Sequence, residues 1–469
     1  MRYTLTLQAR HEEHLRELVL PGDGREGVAY LLCRSARIAH DPWTGVPELR
    51  LISRNIVPVD AGDVYERDVD HVSWRSDTLH RLLPRCQSEG LVVVLVHSHP
   101  RDVPDLSKTD TQTEPVLFDY GWVRDGDDIP FASIVMTDTT IRGRVWYGWS
   151  KDPFVLDVVR VVGERFQFHR TFSAERNSAV FARQILAFGP ALDKELAALR
   201  VVVVGGGGTG SATATLLARL GVGRVAIIDP DLVETTNLNR LHGASQADAD
   251  GGRTKVDVLV SSIARAGLGV AVRGFARYVD DPQCHDVLLS ADVVFGCTDD
   301  HAGRLFINRL AYFYAIPVID MGLMMQVDDT NPDNPRLQHL AGRITVLAPG
   351  LTCIACRDVT DSNAARDELL RRQQPGQYAR LKAEAYVTGE GNPRPAVVTF
   401  TTEVATMAVN EMLQRLSNFR GTSRDHRLHD FLDESDMSFP PQSRAGCKCC
   451  DTQAYCGKAD VSPFLGLAT

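Results

Sequence analysis

The chain has 469 residues, and because single hydrophobic cores stop growing at roughly 250–300 residues, we expect two or three domains. Hydrophobic residues make up 44% of the chain and charged residues 24%, which is ordinary for globular proteins. The formal net charge of −9 argues against a nucleic-acid partner, since binding to phosphates needs clustered lysine and arginine.

The sequence shows neither a targeting segment nor a membrane segment. The first fourteen residues contain no apolar stretch of signal-peptide length, and no run of about 18 apolar residues could span a bilayer. We therefore expect a cytoplasmic protein without a membrane partner. The ten cysteines of such a protein stay mostly reduced, so clustered cysteines indicate metal ligands or reactive thiols rather than disulfides.

Residues 1–155 mix short apolar runs with turn-rich loops, and we interpret them as a first domain. The runs typical of buried strands lie at 28–33, 91–96 and 131–136. A mixed apolar and basic stretch at 151–175 predicts a helix. We interpret residues 156–174 as a connector and residues 175–469 as a second domain.

The second domain alternates strand-like and helical segments. Its strand-like runs lie at 201–204, 225–228, 293–295 and 317–319. The first run is continuously β-branched, as a buried parallel strand requires, and a glycine-rich turn leads from it into an apolar helix at 211–220. The alternation predicts a doubly wound, Rossmann-like sheet and the α/β fold class. Residues 357–396 are polar and predict a long crossover or mobile loop, and the tail from residue 435 lacks periodicity.

A histidine pair after an apolar run indicates a metal site in the first domain. His97 and His99 are two residues apart, so on an extended strand both imidazoles point to one face. With Asp110 as the third ligand, the fourth coordination position of the metal stays open, which is typical of a catalytic zinc. Water bound at that position has a pKa of about 7. Glu26, before an apolar strand, is the best candidate for the base, and Ser107 could donate to an oxyanion.

This pattern resembles the JAMM metalloproteases, also called the JAB or MPN-plus family. Their motif is an early glutamate followed by His-x-His-Pro, six residues, Ser, two residues and Asp, and every spacing is kept here. The resemblance implies zinc ligands at His97, His99 and Asp110, a general acid and base at Glu26, and a stabiliser of the tetrahedral intermediate at Ser107.

The segment VVVVGGGGTGS predicts a nucleotide-binding loop in the second domain. On this segment alone a dinucleotide oxidoreductase is favoured, and Asp229 and Asp231 meet the expected acid for the ribose. The continuation IIDPDLVETTNLNR and the later Lys255 favour an ATP-dependent adenylating enzyme instead. Attack of a carboxylate on an α-phosphate builds negative charge that arginine and lysine neutralise, and Mg²⁺ must be held by an acid.

Roughly residues 175–450 strongly resemble the family of ThiF, MoeB and the ubiquitin-activating enzymes, whose signature joins GxGGxGS, an acidic segment ending in N-L-N-R, a lysine and T-D-N. The resemblance implies a set of ATP-binding residues: Gly205, Gly207, Gly208 and Gly210 around the phosphates, Asp231 on the ribose, and Asn237, Arg240 and Lys255 on the phosphates. It also implies Asp299 as the magnesium-linked acid and Arg183, in FARQILAFG, as an arginine finger that reaches into a partner subunit, hence a homodimer. Two positions depart from the family, because Asp300 replaces an asparagine and Leu241 replaces a glutamine.

Two Cys-x-x-Cys pairs predict a structural zinc site in the second domain. Four thiolates, from Cys353, Cys356, Cys447 and Cys450, can bind zinc tetrahedrally, and the family often carries such a site. Cys449 lies within the second pair and could substitute as a ligand.

The crossover segment lacks the thiol that a full activating enzyme uses to receive its carrier. No cysteine occurs between residues 357 and 446. Three alternatives remain: direct transfer of the adenylate to another protein, a hydroxyl such as Thr360 or Ser362, or a remote thiol such as Cys456.

The two resemblances fit one substrate. A JAMM site would cleave after the C-terminal glycine of a ubiquitin-like protein, and the second domain would adenylate the freed carboxylate with ATP. We therefore expect a bacterial-type activating and deconjugating enzyme whose partners are the ubiquitin-like protein and a conjugating enzyme. The alternative is activation of a sulfur-carrier protein, with a sulfur donor as the partner, for thiocarboxylate-dependent biosynthesis.

Overall fold

The structure is a computed structural model that describes residues 1–172, 178–328, 330–331, 333–383, 395–440 and 442–467. It divides into two compact units. The first unit comprises Met1–Ser173, Phe313–Ala315 and Thr452–Thr469, and the second comprises Ala174–Tyr312 and Ile316–Asp451. Within the described residues, every helix is too short or too polar to cross a bilayer.

The first unit is built on a nine-stranded mixed sheet with the order β11-β10-β1-β3-β2-β6-β7-β8-β9. Its strands are β1 (Arg2–Gln8), β2 (Val28–Ile38), β3 (Glu48–Pro58), β6 (Val92–Ser98), β7 (Phe131–Met136), β8 (Ile141–Trp146), β9 (Phe154–Val155), β10 (Val158–Val162) and β11 (Phe166–Arg170). Strands β4 (Val64–Arg67) and β5 (Val72–Trp74) form a separate hairpin. The helices are α1 (Ala9–Val19), α2 (Asp77–Glu89) and α3 (Lys108–Asp125).

This sheet separates two hydrophobic cores. Alternate residues of a strand point to opposite faces, so Leu31 of β2 packs in one core with Leu15 of α1. Its neighbours Tyr30 and Leu32 belong to the other core, which also contains Leu79 of α2. The sheet is therefore buried on both faces at β2, the strand that begins two residues after Glu26.

The second unit contains an eight-stranded sheet with the order β14-β13-β12-β15-β16-β17-β18-β19. Its strands are β12 (Arg200–Val204), β13 (Arg224–Ile228), β14 (Ala271–Phe275), β15 (Val293–Gly296), β16 (Val318–Asp328), β17 (Arg336–Leu347), β18 (His426–Asp430) and β19 (Ser435–Ser438). Its helices are α4 (Ala182–Ala198), α5 (Gly208–Leu220), α6 (Gln246–Asp250), α7 (Lys255–Arg265), α8 (His285–Leu289), α9 (His301–Phe313), α10 (Ser362–Gln373), α11 (Pro375–Ala383) and α12 (Val398–Ser417).

The expected Rossmann-like α/β sheet is confirmed for β12 to β16, which pair in parallel. Strand order reverses between β12 and β15, and such a switch point is where open α/β sheets bind ligands, beyond the carboxyl ends of the strands. Strands β17, β18 and β19 extend the sheet in antiparallel pairing.

Two expectations for local structure are wrong. Up to residue 172 the helix expected at 151–175 is replaced by β9, β10 and β11, because the run VVRVV in β10 contains four β-branched valines and is buried in the sheet. Residues 173–175 lie outside the described residues. The irregular crossover expected at 357–396 contains the helices α10 and α11. Residues 384–394 of that segment lie outside the described residues.

Candidate functional sites

The pairing of β2 with β6 brings a glutamate and a histidine together. The antiparallel register places Val28 opposite His97, so Glu26, two residues before Val28, lies opposite His99. Glu26 Oε1 is 3.8 Å from His99 Nε2. The sheet register therefore sets the position of the candidate base relative to the histidines.

Three side chains with metal-ligand atoms converge at this end of β6. One ligand atom each of His97, His99 and Asp110 lies within 4.8 Å of the other two, and we call these residues the His–His–Asp cluster. His97 Nε2 is 3.6 Å from Asp110 Oδ1, and the two imidazole centroids are 5.0 Å apart. Two imidazoles and one carboxylate form the donor set of a catalytic zinc.

The nitrogen atoms of the His–His–Asp cluster are arranged for ligation. His97 Nε2 is buried and has no hydrogen-bond partner among the described residues. Burial lowers the pKa of His97 to about 4, so the imidazole is neutral at pH 7. His99 Nδ1 lies 2.8 Å from Val103 O, which can only accept, so Nδ1 carries the proton and Nε2 keeps its lone pair. Because an unpartnered buried nitrogen is costly, these residues fit a zinc ion.

Backbone contacts fix Glu26 beside the cluster. Its N–H donates to Asp68 O at 2.8 Å, and the adjacent Gly27 has no room for a side chain, since a Cβ there would lie 2.6 Å from Val19 Cα. Burial, with a smaller contribution from the negative charge of Asp110, raises the pKa of Glu26 to about 7. Such a carboxyl group can exchange protons near neutral pH.

Ser107 is the N-cap residue of α3. Its Oγ accepts a hydrogen bond from Asp110 N at 3.1 Å, while Asp110 Oδ2 accepts one from Ser107 N at 2.6 Å. This capping box orients Asp110 so that Oδ1 faces His97. Burial acts to raise the pKa of Asp110, but His97 and the hydrogen bonds of Ser107 outweigh it, so the pKa is lowered.

In the second unit, the turn from β12 into the first residues of α5 is too tight for side chains at two glycines, Gly205 in the loop and Gly210 in the helix. Gly205 has φ +97°, and a Cβ there would lie 2.8 Å from the carbonyl carbon of Cys297. A Cβ at Gly210 would lie 1.8 Å from Gly205 O. Gly207 and Gly208 begin α5, whose first amides have no partner within the helix and attract anions.

Asp229 is a functional candidate that the motif reasoning treated only as a possible dinucleotide acid. It follows β13, the strand beside β12, and its Oδ2 accepts from Gly206 N at 2.6 Å. Its Oδ1 accepts from Asp231 N at 2.9 Å and lies 3.9 Å from Lys255 Nζ. Lys255 Nζ also donates to the exposed Asp231 Oδ2 at 2.7 Å. For Asp229, the signal in the sequence was its position directly after β13, the second parallel strand of the sheet.

Asn237 and Arg240 lie in a short 3-10 turn and the segment after it. Asn237 Oδ1 accepts from a backbone amide three residues earlier at 3.2 Å, and Arg240 donates to Thr236 O at 2.6 Å. His242 N donates to Ser211 Oγ of α5 at 3.1 Å, which ties this segment to the helix that begins at the glycine loop.

The predicted magnesium-linked acid follows β15, which pairs with β12. Asp299 is exposed and lies three residues beyond Gly296, the last residue of β15. Its neighbour Asp300 accepts from Gly303 N at 2.7 Å and so caps the start of α9. An asparagine would cap in the same way, which explains why the departure from the family pattern is compatible with the fold.

Arg183 lies far along α5 from the glycine loop of its own chain. It is exposed in the first turn of α4, and the side chain of Gln184 donates to Leu220 O, at the end of α5, at 3.1 Å. Twelve residues of helix separate Leu220 from Gly208, which corresponds to about 18 Å.

The four predicted cysteine ligands form one group, which we call the cysteine cluster. One Sγ atom each of Cys353, Cys356, Cys447 and Cys450 lies within 4.8 Å of the others. The cross-pair distances, Cys353 to Cys447 and Cys356 to Cys450, are both 3.7 Å. Tetrahedral zinc with 2.3 Å bonds would place sulfur atoms about 3.8 Å apart, so the cluster fits a structural zinc ion.

Comparison with known proteins finds a matching family model and several similar proteins. A family model described as the ThiF family matches residues 181–449, more than half of the chain. The chain is 29% identical over 168 residues to the SAMP-activating enzyme E1 of Haloferax volcanii. The aligned residues cover 36% of this chain and 56% of that protein. It is 32% identical over 143 residues to the molybdopterin-synthase adenylyltransferase of Escherichia coli K12, 30% of this chain and 56% of that protein.

A third similar protein is the sulfur carrier protein ThiS adenylyltransferase of Bacillus subtilis, 30% identical over 141 residues, 30% of this chain and 42% of that protein. The chain thus spans about half the length of the curated relatives it matches. Among solved structures, that of Escherichia coli MccB with succinimide matches with a TM-score of 0.44 and 17% identity, covering 58% of this chain and 75% of that chain.

Proposed function

Because the chain belongs to the ThiF family, we propose that its second unit uses ATP and Mg²⁺ to adenylate the C-terminal glycine of a ubiquitin-like or sulfur-carrier protein. The similar proteins named above include a SAMP-activating enzyme and adenylyltransferases of molybdopterin synthase and ThiS. The observation that carries the proposal is the meeting of the glycine loop, Asp229 and Lys255 at the carboxyl edge of the parallel sheet.

The proposed reaction needs groups that neutralise the transferred phosphate. The glycine carboxylate attacks the α-phosphorus, the bond to the bridging oxygen breaks, and pyrophosphate leaves. Amides at the start of α5 would hold the phosphates, and Lys255 and Arg240 would balance the charge that grows on them. Asp299 would hold the magnesium ion, which supplies additional positive charge at the phosphates.

Exchange of labelled pyrophosphate into ATP, in the presence of the carrier protein, tests this proposal. We expect exchange with the wild type, its loss in Asp299→Ala, and no change in the exposed control Asp433→Ala. Exchange that survives in Asp299→Ala would remove Asp299 from the mechanism.

The first unit is proposed to be a JAMM-type hydrolase that cleaves after the same glycine. Its support is the His–His–Asp cluster, with the unpartnered nitrogen of His97. A zinc ion held by His97, His99 and Asp110 would supply a bound water of lowered pKa. Glu26 would accept a proton from that water and return it to the leaving amine, and the Ser107 hydroxyl would donate to the oxyanion.

Cleavage of a ubiquitin-like protein extended at its C-terminal glycine tests the hydrolase proposal. Glu26→Gln should keep zinc in the first unit, because Glu26 is not a ligand, yet lower the cleavage rate by about 10²–10⁴-fold. Cleavage by Glu26→Gln at the wild-type rate would exclude Glu26 as the base.

Sulfur transfer is the second candidate function, and the lack of cysteine between residues 357 and 446 favours it. Without a thiol on the crossover, the adenylate could pass directly to a sulfur donor. Mass spectrometry of the carrier after reaction separates the candidates. A thiocarboxylate on the free carrier supports sulfur transfer, whereas a carrier joined to a target protein supports conjugation through a conjugating enzyme.

A homodimer is proposed for the adenylating unit. Arg183 is exposed at the far end of α5 from its own glycine loop, so its action as an arginine finger requires a second subunit. Apolar residues beside it are also exposed, with Val180 at 61% and Leu186 at 87%. Exposed large apolar side chains next to a functional arginine are what a subunit interface would cover.

A further inference from the structure

The first unit contains a cleft of about 770 Å³ whose lining is rich in arginine. Its basic residues come from α1, β2, β3 and α2: Arg10, His11, His14, Arg34, Arg54 and Arg85. We call it the arginine cleft. Thr452 and Gln453 complete one wall, and the only acidic residue in the lining is Glu89.

A β-bulge presents one of these arginines. In the pairing of β2 with β3, Leu32 lies opposite Asn55 and Cys33 lies opposite Ser53, so Arg54 is the extra residue of the bulge. Bulges redirect a side chain and occur often next to binding sites. Arg54 donates to Cys456 O at 2.6 Å, which holds its guanidinium at the cleft wall.

The positive charge of the cleft is not balanced by its own acidic residue. Glu89 accepts a hydrogen bond from Arg85 at 2.8 Å and is thereby engaged. Arg10 donates to Gln8 Oε1 and Thr452 O, both at 3.2 Å, and these partners are neutral. Three guanidinium groups, those of Arg10, Arg34 and Arg54, therefore share the cleft, and no carboxylate among the described residues forms an ion pair with them.

The neighbouring positive charges affect the pKa values of Arg54 and His11. Burial, then the charges of Arg34 and Arg10, lowers the pKa of Arg54. Burial, then the charges of Arg10 and Arg54, lowers the pKa of His11 to about 3. His14 is paired with Glu17, which lies outside the lining. A bound anion would relieve this repulsion.

We propose that the arginine cleft binds a compact anion with two or more phosphate groups. Planar guanidinium groups donate two parallel hydrogen bonds to phosphate, which suits several arginines around one ligand. The volume lies within the range of small-molecule sites, and a concave cleft fits a compact anion better than the surface of a folded partner. A nucleoside polyphosphate and an inorganic polyphosphate share this chemistry.

Calorimetric titration of the full-length protein with tripolyphosphate, and separately with ATP, tests the proposal. Arg34→Gln is the informative variant, because the Arg34 side chain makes no hydrogen bond to another described residue and its replacement should leave the fold intact. Arg75→Gln is the matched control, since Arg75 is exposed in the same unit and does not line the cleft. Any binding at the glycine loop is common to all three proteins, so only the difference between them reports on the cleft.

We expect Arg34→Gln to weaken one binding event by about tenfold or more, with binding by Arg75→Gln unchanged. Arg34→Glu should abolish that event while pyrophosphate exchange and the melting temperature stay at wild-type values. If Arg34→Gln weakens the binding of both ligands, the cleft recognises the phosphate chain alone. If it weakens only the binding of ATP, the cleft recognises a nucleotide. Equal binding by wild type and Arg34→Glu, or tighter binding of a glutamate-rich peptide than of tripolyphosphate, would overturn the proposal.

Discussion

The His–His–Asp cluster and the glycine-loop edge hold their charged groups in different ways. In the first unit, His97 Nε2 is buried without a hydrogen-bond partner among the described residues, so its lone pair is free for a ligand. In the second unit, Lys255 already donates to Asp231, and Arg240 donates to Thr236 O. A zinc ion would thus meet ligands that are already arranged, whereas ATP phosphates would have to displace the internal partners of Lys255 and Arg240.

Removal of a preformed ligand should have the largest effect. We expect two zinc ions per chain in the wild type and one in His97→Ala, at the cysteine cluster. His97→Ala should also lose cleavage entirely, because the first unit would no longer hold zinc. Metal analysis by mass spectrometry and the cleavage assay measure this, with exposed His40→Ala as the control. Two zinc ions in His97→Ala would show that His97 is not a ligand.

Removal of Lys255, which would have to leave Asp231 to contact ATP, should have a smaller but still large effect on activity. Lys255→Ala should lower the rate of pyrophosphate exchange by about 10²–10³-fold, since one charge that stabilises the transition state is lost. Lys382→Ala, on the exposed face of α11, serves as the control in the same assay. An unchanged rate would mean that Lys255 only pairs with Asp231 and does not contact ATP.

Subunit mixing tests whether a second subunit supplies Arg183 to the nucleotide site. Arg183→Ala and Asp299→Ala should each be inactive, but co-expression should restore about a quarter of the wild-type exchange rate through mixed dimers with one intact site. The restored fraction is measured in the co-purified mixture. No recovery, with mixed dimers demonstrated by differential tags, would contradict an arginine finger supplied by a partner.

The smallest effect is expected for the residue that orients a ligand through a helix cap. Ser107→Ala should lower the free energy of unfolding by about 1 kcal/mol, because Asp110 N loses its side-chain acceptor. Ser107→Asn should restore stability in denaturant titrations without restoring full cleavage, since asparagine caps but has no hydroxyl. Equal cleavage by Ser107→Asn and wild type would limit Ser107 to its capping role.

Short-range patterns predicted those parts of the molecule in which local sequence decides the structure. The buried strand at 131–136 follows from its apolar run, and the two Cys-x-x-Cys pairs anticipated which four thiols meet. The histidine spacing likewise anticipated that His97 and His99 lie together. These features depend on the period of a strand or on a short motif.

Features that depend on long-range pairing escaped the sequence analysis. The stretch 154–170, where a helix was expected, forms strands because β10 pairs with β1, more than 150 residues away, and mixed composition gave no sign of that partner. The hydrogen bond that Gly206 N donates to Asp229 requires β13 to lie beside β12. The arginine cleft collects residues from four separate elements without any motif spacing.

The antiparallel register of β2 and β6 limits how the first unit can vary. Since successive strand residues point to opposite faces, deletion of one residue within 29–33 would turn the backbone at Glu26 away from the face that carries His99. Residues 104–106 are under a different constraint, because Asp110 is positioned by its own helix cap at Ser107. Changes in chain length should therefore be tolerated between Val103, which holds His99, and Ser107, and rejected before the histidines.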